Sequence, residues 1–167
     1  FLPNVEVLDG STTPERVGGN TTTERLNSYM ARVAYNFNQK YFLEGSFRKD
    51  GSTRFSEDTR WGDFFAVGGS WVVSSESFLQ DNNVIDYLKF RGSYGELGNN
   101  RGIGYFPYQA LFNLGWNNEG NTGVLLNGIA DPNISWEKTA SSNVGVDFTL
   151  FNGALSGTVD YYSKETI

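Results

Sequence analysis

A two-residue period runs through most of this chain and limits what it can become. From Tyr29 the odd positions read Tyr29, Ala31, Val33, Tyr35 and Phe37, set against Ser28, Met30, Arg32, Ala34 and Asn36. After a short turn at Asn38-Gln39-Lys40, a second run sets Tyr41, Leu43, Gly45 and Phe47 against Phe42, Glu44, Ser46 and Arg48. A third, from Trp61 to Ser74, gathers Phe65, Val67, Gly69, Trp71 and Val73 on one side. A fourth sets Leu88, Phe90, Gly92 and Tyr94 against Lys89, Arg91, Ser93 and Gly95. The fifth is the clearest: Trp136, Ala140, Ser142, Val144, Val146, Phe148 and Leu150 alternate with Glu137, Thr139, Ser141, Asn143, Gly145, Asp147 and Thr149. The sixth sets Leu155, Gly157, Val159 and Tyr161 against Ser156, Thr158, Asp160 and Tyr162. Successive side chains of a strand point to opposite faces, so the pattern specifies an all-β chain of six strands, each with one apolar face. Helical spacing is nearly absent.

The connections alternate short, long, medium, long, short, which makes the strands antiparallel neighbours. Asn152-Gly153 is a tight-hairpin signal. The connector from Ser74 to Asn83 has room for one helical turn, and the stretch from Gly98 to Asn133 reads as a long irregular segment with scattered aromatics. Several runs reach about ten residues, longer than the usual ~5–6 of soluble sheets and equal to the ~9–11 that a tilted strand needs to cross a bilayer. Long loops on one side and short turns on the other are the arrangement of outer-membrane barrels.

Period alone leaves two readings open, because a sandwich packs its apolar face on a core while a membrane barrel turns it to lipid. The opposite face carries Glu44, Arg48, Lys89, Arg91, Asp147 and Asp160 among Ser, Thr, Asn and Gly. Charge of both signs suits a hydrated lumen as well as a solvent-exposed sheet. Aromatic residues at strand ends (Phe37, Tyr41, Phe148 and Phe151 at short turns; Trp61, Phe64 and Phe65 after a long loop) fit interfacial girdles. Glycines on the apolar side, Gly45, Gly69, Gly92 and Gly157, are wasteful in a sandwich core. Six strands are fewer than the eight of the smallest membrane barrels and leave two long edges, so a barrel of this kind has further strands.

Composition removes other classes. The 167 residues include no His and no Cys. That excludes imidazole and thiolate metal sites, disulfides and the common nucleophile triads, and no cofactor is expected. Net charge is −6, which argues against a nucleic-acid partner. Asp50-Gly-Ser-Thr-Arg-Phe-Ser-Glu57-Asp58 lacks calcium-loop spacing, Gly98 to Gly104 precedes no helix, and no carboxylate pair stands out, so an enzyme is not expected. Phe1 to Arg25 has no period, and both ends read as cut.

Several stretches resemble the TonB-dependent transporters of the SusC/RagA type from Bacteroidetes. They are Tyr41 to Phe55, Arg60 to Phe65, Gly69-Ser-Trp71, Ser75 to Phe78, Leu88 to Gly95 with Gly98-Asn-Asn100, Trp136 to Thr139, Asn143 to Asp147 and Asp160 to Tyr162, in that order. The resemblance implies that the six antiparallel strands form part of a large transmembrane barrel of about 22 strands with a plug. Residues 1–167 would be a partial barrel without the plug, and residues 1–25 an extracellular loop segment. It also implies import across the cell outer membrane of a glycan or peptide, a SusD-like surface lipoprotein as partner, and energy supplied through TonB by segments outside this stretch. Arg48 to Arg60 and Gly98 to Asn133 become extracellular loops, with Trp61, Arg101, Tyr105 and Trp116 as candidate substrate or partner contacts. Glu44, Arg48, Lys89, Arg91, Asp147 and Asp160 become lumen-facing. Tyr41, Leu43, Phe47, Leu88, Phe90, Val144, Val146, Phe148, Val159 and Tyr161 become lipid-facing. The reading of a different class is a soluble β-sandwich carbohydrate-binding module, which would carry a second sheet over its apolar face.

Overall fold

The computed structural model describes residues 21–79, 81–118 and 121–167, with the backbone alone for 114–118 and 121–122. In chain order the strands are β1 (Leu26–Phe37), β2 (Tyr41–Ser52), β3 (Trp61–Val72), β4 (Ile85–Asn99), β5 (Phe112–Asn118), β6 (Asn121–Leu126), β7 (Glu137–Leu150) and β8 (Leu155–Thr166). One antiparallel sheet runs β1-β2-β3-β4-β7-β8, and β5-β6 is a separate hairpin. The six expected strands are present, and those of the large sheet are 12 to 15 residues long. The connector after β3 makes two 3-10 turns, Val73–Ser75 and Ser77–Leu79.

Two tight turns fix the register. Lys40 N donates to Phe37 O at 3.0 Å around Asn38 and Gln39, both at positive φ (52° and 56°). Ala154 N donates to Phe151 O at 3.2 Å around Asn152 and Gly153, at 55° and 83°. Left-handed backbone at both central positions matches the twist of the strands it joins, and Asn and Gly tolerate it best. From these turns the ladder sorts side chains without a slip across most of its width. One row reads Tyr35, Leu43, Gly69, Gly92, Val144, Tyr161 across all six strands, and the next reads Phe37, Tyr41, Trp71, Phe90, Val146, Val159. The intervening row on the other face carries Ser70, Arg91, Gly145 and Asp160.

Among the described residues no second layer covers either face, and only the long-loop end of the polar face is overlaid, by Phe55 and Trp136. The buried apolar residues are Phe55, Phe64, Val72 and Val73, whereas Val33, Val144 and Tyr161 are 72%, 60% and 75% exposed. A sandwich would lay a second sheet over that row. None is present among the described residues, and the β-sandwich reading falls with it. A single-layer sheet with an open apolar face needs an apolar surrounding, and the register supplies every interior strand with ladder partners on both sides.

Three local expectations change. The segment read as irregular, Gly98 to Asn133, contains the β5–β6 hairpin; its register shifts between Asn113 and Trp116, which breaks the alternation that would reveal it. Phe64 is not a girdle ring: its even position turns it to the face opposite Trp61 and Phe65, where it is buried. Trp136 does not start the fifth strand on the apolar face. Strand β7 begins at Glu137, and the indole packs on Phe55 (5.3 Å between centroids) and edge-on to Phe64 (5.6 Å).

These last two residues share a cause. Pairing of β3 with β4 stops at Ala66–Gly95, although β2 accompanies β3 to Trp61 and β7 accompanies β4 to Asn99. The sheet therefore splits at its long-loop end, and the Phe64 ring fills the split. Carbonyls on the unpaired side need donors. Lys138 Nζ donates to Asp63 O (3.0 Å). Just before β3, Trp136 Nε1 donates to Arg60 O (2.9 Å), a carbonyl that also accepts from Ser52 N of β2 (3.2 Å). Arg48 and Lys138 stand over the Phe64 ring at 5.7 and 5.6 Å. Glycine is required beneath it, because a Cβ on Gly98 would overlap the ring.

At the other end, the carboxylate of Glu76 gathers three donors: Tyr41 OH (2.7 Å), Trp71 Nε1 (3.1 Å) and Lys40 Nζ (3.0 Å). The Tyr41 and Trp71 rings stack at 6.1 Å. The hydrogen bonds from Tyr41, then Lys40 and Trp71, hold the Glu76 carboxyl below its ordinary value of 4.5.

Two outcomes follow in a receptor that contains this sheet. Gly98→Ala forces Phe64 out of the split and destabilises the barrel by roughly 1–3 kcal/mol, the usual cost of overpacking; it is read from the temperature at which the compact band disappears on detergent gels. Glu76→Gln lowers the unfolding midpoint at neutral pH. Because the native carboxyl titrates below 4.5, the advantage of the wild type is complete above that pH and disappears as the pH falls through the depressed native value. Unfolding midpoints measured against pH for both proteins should converge in acid.

Candidate functional site

The polar face carries a series of ion pairs, most of them between strands. Arg32 Nη2 meets Glu44 Oε2 at 2.6 Å, and Arg48 Nε lies 2.8 Å from Asp50 Oδ2. Arg91 reaches Asp147 at 3.3 Å and Asp160 at 2.7 Å, and Thr158 Oγ1 donates to Asp147 Oδ1 at 2.9 Å. The pairing of β4 with β8 residues across β7 depends on Gly145. A Cβ there would lie 2.8 Å from the Arg91 guanidinium carbon, so only glycine lets the side chain cross. Lys89 is held over the Phe42 ring at 5.6 Å. All six residues expected on the polar face lie on it by register: Glu44, Arg48, Lys89, Arg91, Asp147 and Asp160. The ten apolar residues from Tyr41 to Tyr161 lie on the other. Between the two rows of charge, Phe42, Glu44, Gly68, Ser70, Lys89 and Asn143 border an open recess of about 400 Å³. Exposed pairs of this kind contribute little stability each, about 0–1 kcal/mol. Their effect is a mixed-charge, hydrated lining able to hydrogen-bond a polar solute along its length.

The long-loop end is tied together by Arg54 and Phe55. The Arg54 guanidinium grips Glu24 through Nε (2.7 Å) and Nη2 (2.9 Å), and its Nη1 donates to Ile103 O (3.0 Å) and Asn100 O (3.4 Å). It also lies 5.0 Å over the Tyr105 ring. The hydrogen bond from Arg54 lowers the Glu24 carboxyl and raises the guanidinium in return. Phe55 is fully buried under Trp136, while Ser56 Oγ and Thr59 Oγ1 donate to Pro132 O (3.0 Å) and Ile134 O (2.8 Å). Thus the segment from Asp50 to Arg60 joins residues 24–25, 100–105 and 131–136 into one rim. Among the described residues no acidic cluster is placed to hold a metal ion.

The four loop candidates do not converge. Tyr105 sits at the rim beneath Arg54, with its ring half exposed. Arg101 is exposed beside it, its backbone N donating to Asn99 Oδ1 at 3.0 Å. Trp61 goes elsewhere: it lies on the apolar face stacked on Tyr29, 6.0 Å between centroids. Trp116 is in β5 opposite Gly123, and its side chain lies outside the described residues. Sequence reasoning missed Arg54 and Glu24, 30 positions apart and joined only by the fold.

Comparison with known proteins gives a consistent picture. No protein-family model matches the sequence. The chain is 39% identical over 149 residues to TonB-dependent receptor P39 of Formosa agariphila, covering 89% of this chain and 14% of that protein. It is 35% identical over 153 residues to TonB-dependent receptor SusC of Bacteroides thetaiotaomicron, covering 87% of this chain and 15% of that protein. Among solved structures, the RagAB peptide transporter matches with a TM-score of 0.76 at 32% identity, over 86% of this chain and 16% of its counterpart. The RagAB importer in its open-open state matches with a TM-score of 0.77 at 29% identity, over 96% of this chain and 18% of its counterpart. The chain therefore spans less than a fifth of the length of these relatives. With its open single-layer sheet and segregated faces, it belongs to the SusC/RagA type of TonB-dependent receptors and is a six-stranded part of their transmembrane β-barrel.

Proposed function

We propose that this sheet is wall and rim of an outer-membrane importer for a glycan or peptide nutrient, driven through TonB and capped by a SusD-like surface lipoprotein. The observation that carries the reading is the sorting of an apolar row and a charged row onto opposite faces across six long strands, with no second layer over the apolar face among the described residues. The apolar face then meets lipid, with Tyr41 and Trp71 in the periplasmic girdle and Trp61 with Tyr29 in the extracellular one. The polar face lines the lumen. Its paired charges offer donors and acceptors to a solute or to a plug without leaving an isolated charge at the wall.

The rim takes the partner and the incoming solute. Phe112 and Leu126, paired across the β5–β6 hairpin, with Ile129 at 95% exposure just beyond, offer exposed apolar side chains at the extracellular end. Such a patch suits a protein cap. Arg101 and Tyr105, held beside the Arg54 junction, offer an exposed arginine and a ring face suited to carboxylates, peptide carbonyls or sugar rings. Trp116 shares the hairpin. The chemistry of wall and rim suits both nutrient classes; peptide import is the activity of the RagAB relative.

Uptake of labelled oligosaccharide and oligopeptide panels by cells carrying the full-length receptor tests this. One class should enter, uptake should cease when the proton-motive force is collapsed, and Arg101→Ala with Tyr105→Ala should weaken binding about tenfold, or 1.4 kcal/mol. Uptake indifferent to the proton-motive force, or a receptor absent from the outer-membrane fraction, overturns the proposal.

A further inference from the structure

The apolar face carries a depression that its neighbours do not fill. Gly69 and Gly92 stand opposite each other across β3 and β4, with Leu43 and Val144 continuing the row on either side. A Cβ on Gly92 would meet no atom closer than 3.9 Å, and one on Gly69 none closer than 3.6 Å. Packing therefore requires glycine at neither place, in contrast to Gly98 and Gly145, although glycine inside a strand is worse than alanine by about 0.5–1 kcal/mol. What the two glycines create is an open recess of about 500 Å³, walled by Tyr35, Tyr41, Leu43, Trp71 and Phe90.

The walls offer ring faces and aliphatic carbon. The polar atoms of Tyr41 and Trp71 are drawn away to Glu76. Arg91, which also borders the recess, sends its guanidinium to Asp147 and Asp160 on the opposite face. The stacked Tyr41 and Trp71 rings close the recess toward the short-turn end. Gly69 and Gly92 lie two residues further along their strands than Trp71 and Phe90, about 7 Å deeper than the ring level. Beneath an aromatic belt, that depth is where acyl chains begin.

We infer that this recess seats one acyl chain of a periplasmic-leaflet phospholipid, held more persistently than lipid elsewhere on the wall. The inference rests on the reading that the apolar face meets lipid. The recess opens directly onto that interface, its floor lies at acyl depth, and its walls are mostly ring faces and aliphatic carbon, with the hydroxyls of Tyr35 and Ser70 as the remaining polar side-chain atoms of its lining. A chain lying there replaces the side chains that Gly69 and Gly92 lack.

The test uses the full-length receptor in vesicles of phosphatidylethanolamine carrying a diazirine near the start of one acyl chain. After photolysis, labelled residues are located by peptide mass spectrometry. Tyr35, Leu43 and Phe90 should be labelled several-fold more than Val159 and Tyr161, which share the face but lie outside the recess. Gly92→Leu should abolish the excess and leave Val159 and Tyr161 unchanged. Equal labelling of the two sets in the wild type overturns the seat while keeping the lipid-facing wall. Labelling of neither set overturns the lipid-facing reading itself. Should Gly92→Leu not assemble, the wild-type ratio alone decides.

Discussion

The backbone ladder is the constraint from which the rest of this structure follows. A single-layer sheet in hydrocarbon has no water to satisfy an unpaired amide, so each strand must find its partners on both sides. That demand fixes long strands, antiparallel neighbours and tight turns with left-handed residues at Asn38, Gln39, Asn152 and Gly153. With the register fixed, the two-residue period has only one way to distribute side chains. Charged and apolar rows separate without any core to sort them.

Where the ladder fails, side chains take over its work. Along the upper part of β3, Lys138 supplies a donor to a carbonyl that β4 no longer reaches, and Trp136 adds one to Arg60 O at the entry to the strand. Phe64 occupies the opened space, with Gly62 and Gly98 giving it room. The loop from Thr53 to Arg60 then builds on this patch, burying Phe55 against Trp136. The largest buried cluster of the described residues thus lies at a defect of the sheet rather than between layers.

How much of this was legible in the sequence depends on the range of the interaction. Strand number, order and faces follow from alternation between neighbours two apart, and the Asn152-Gly153 turn is a local signal. The same reasoning placed Arg91 and Asp160 on one face. It did not reveal that they touch, because the contact needs Gly145 to be bare between them. Trp136 was misplaced because its alternation phase agrees with the strand that follows, while burial against Phe55, 81 positions earlier, decides where the ring goes. The β5–β6 hairpin escaped because its register shift interrupts the period. Glu24 and Arg54 carry no local pattern at all. The candidate site was legible as a wall and illegible as a rim.

The split between β3 and β4 also has a geometric consequence. A barrel wall bends most easily where its strands are least tied, since hydrogen bonds resist opening of the angle between neighbours. Between β4 and β7 the ladder runs nearly from end to end. Above Ala66–Gly95 the seam between β3 and β4 is bridged from the β7 side by the Lys138 and Trp136 hydrogen bonds and filled by the Phe64 ring. A load that spreads the mouth is therefore taken at this seam by side chains rather than by backbone.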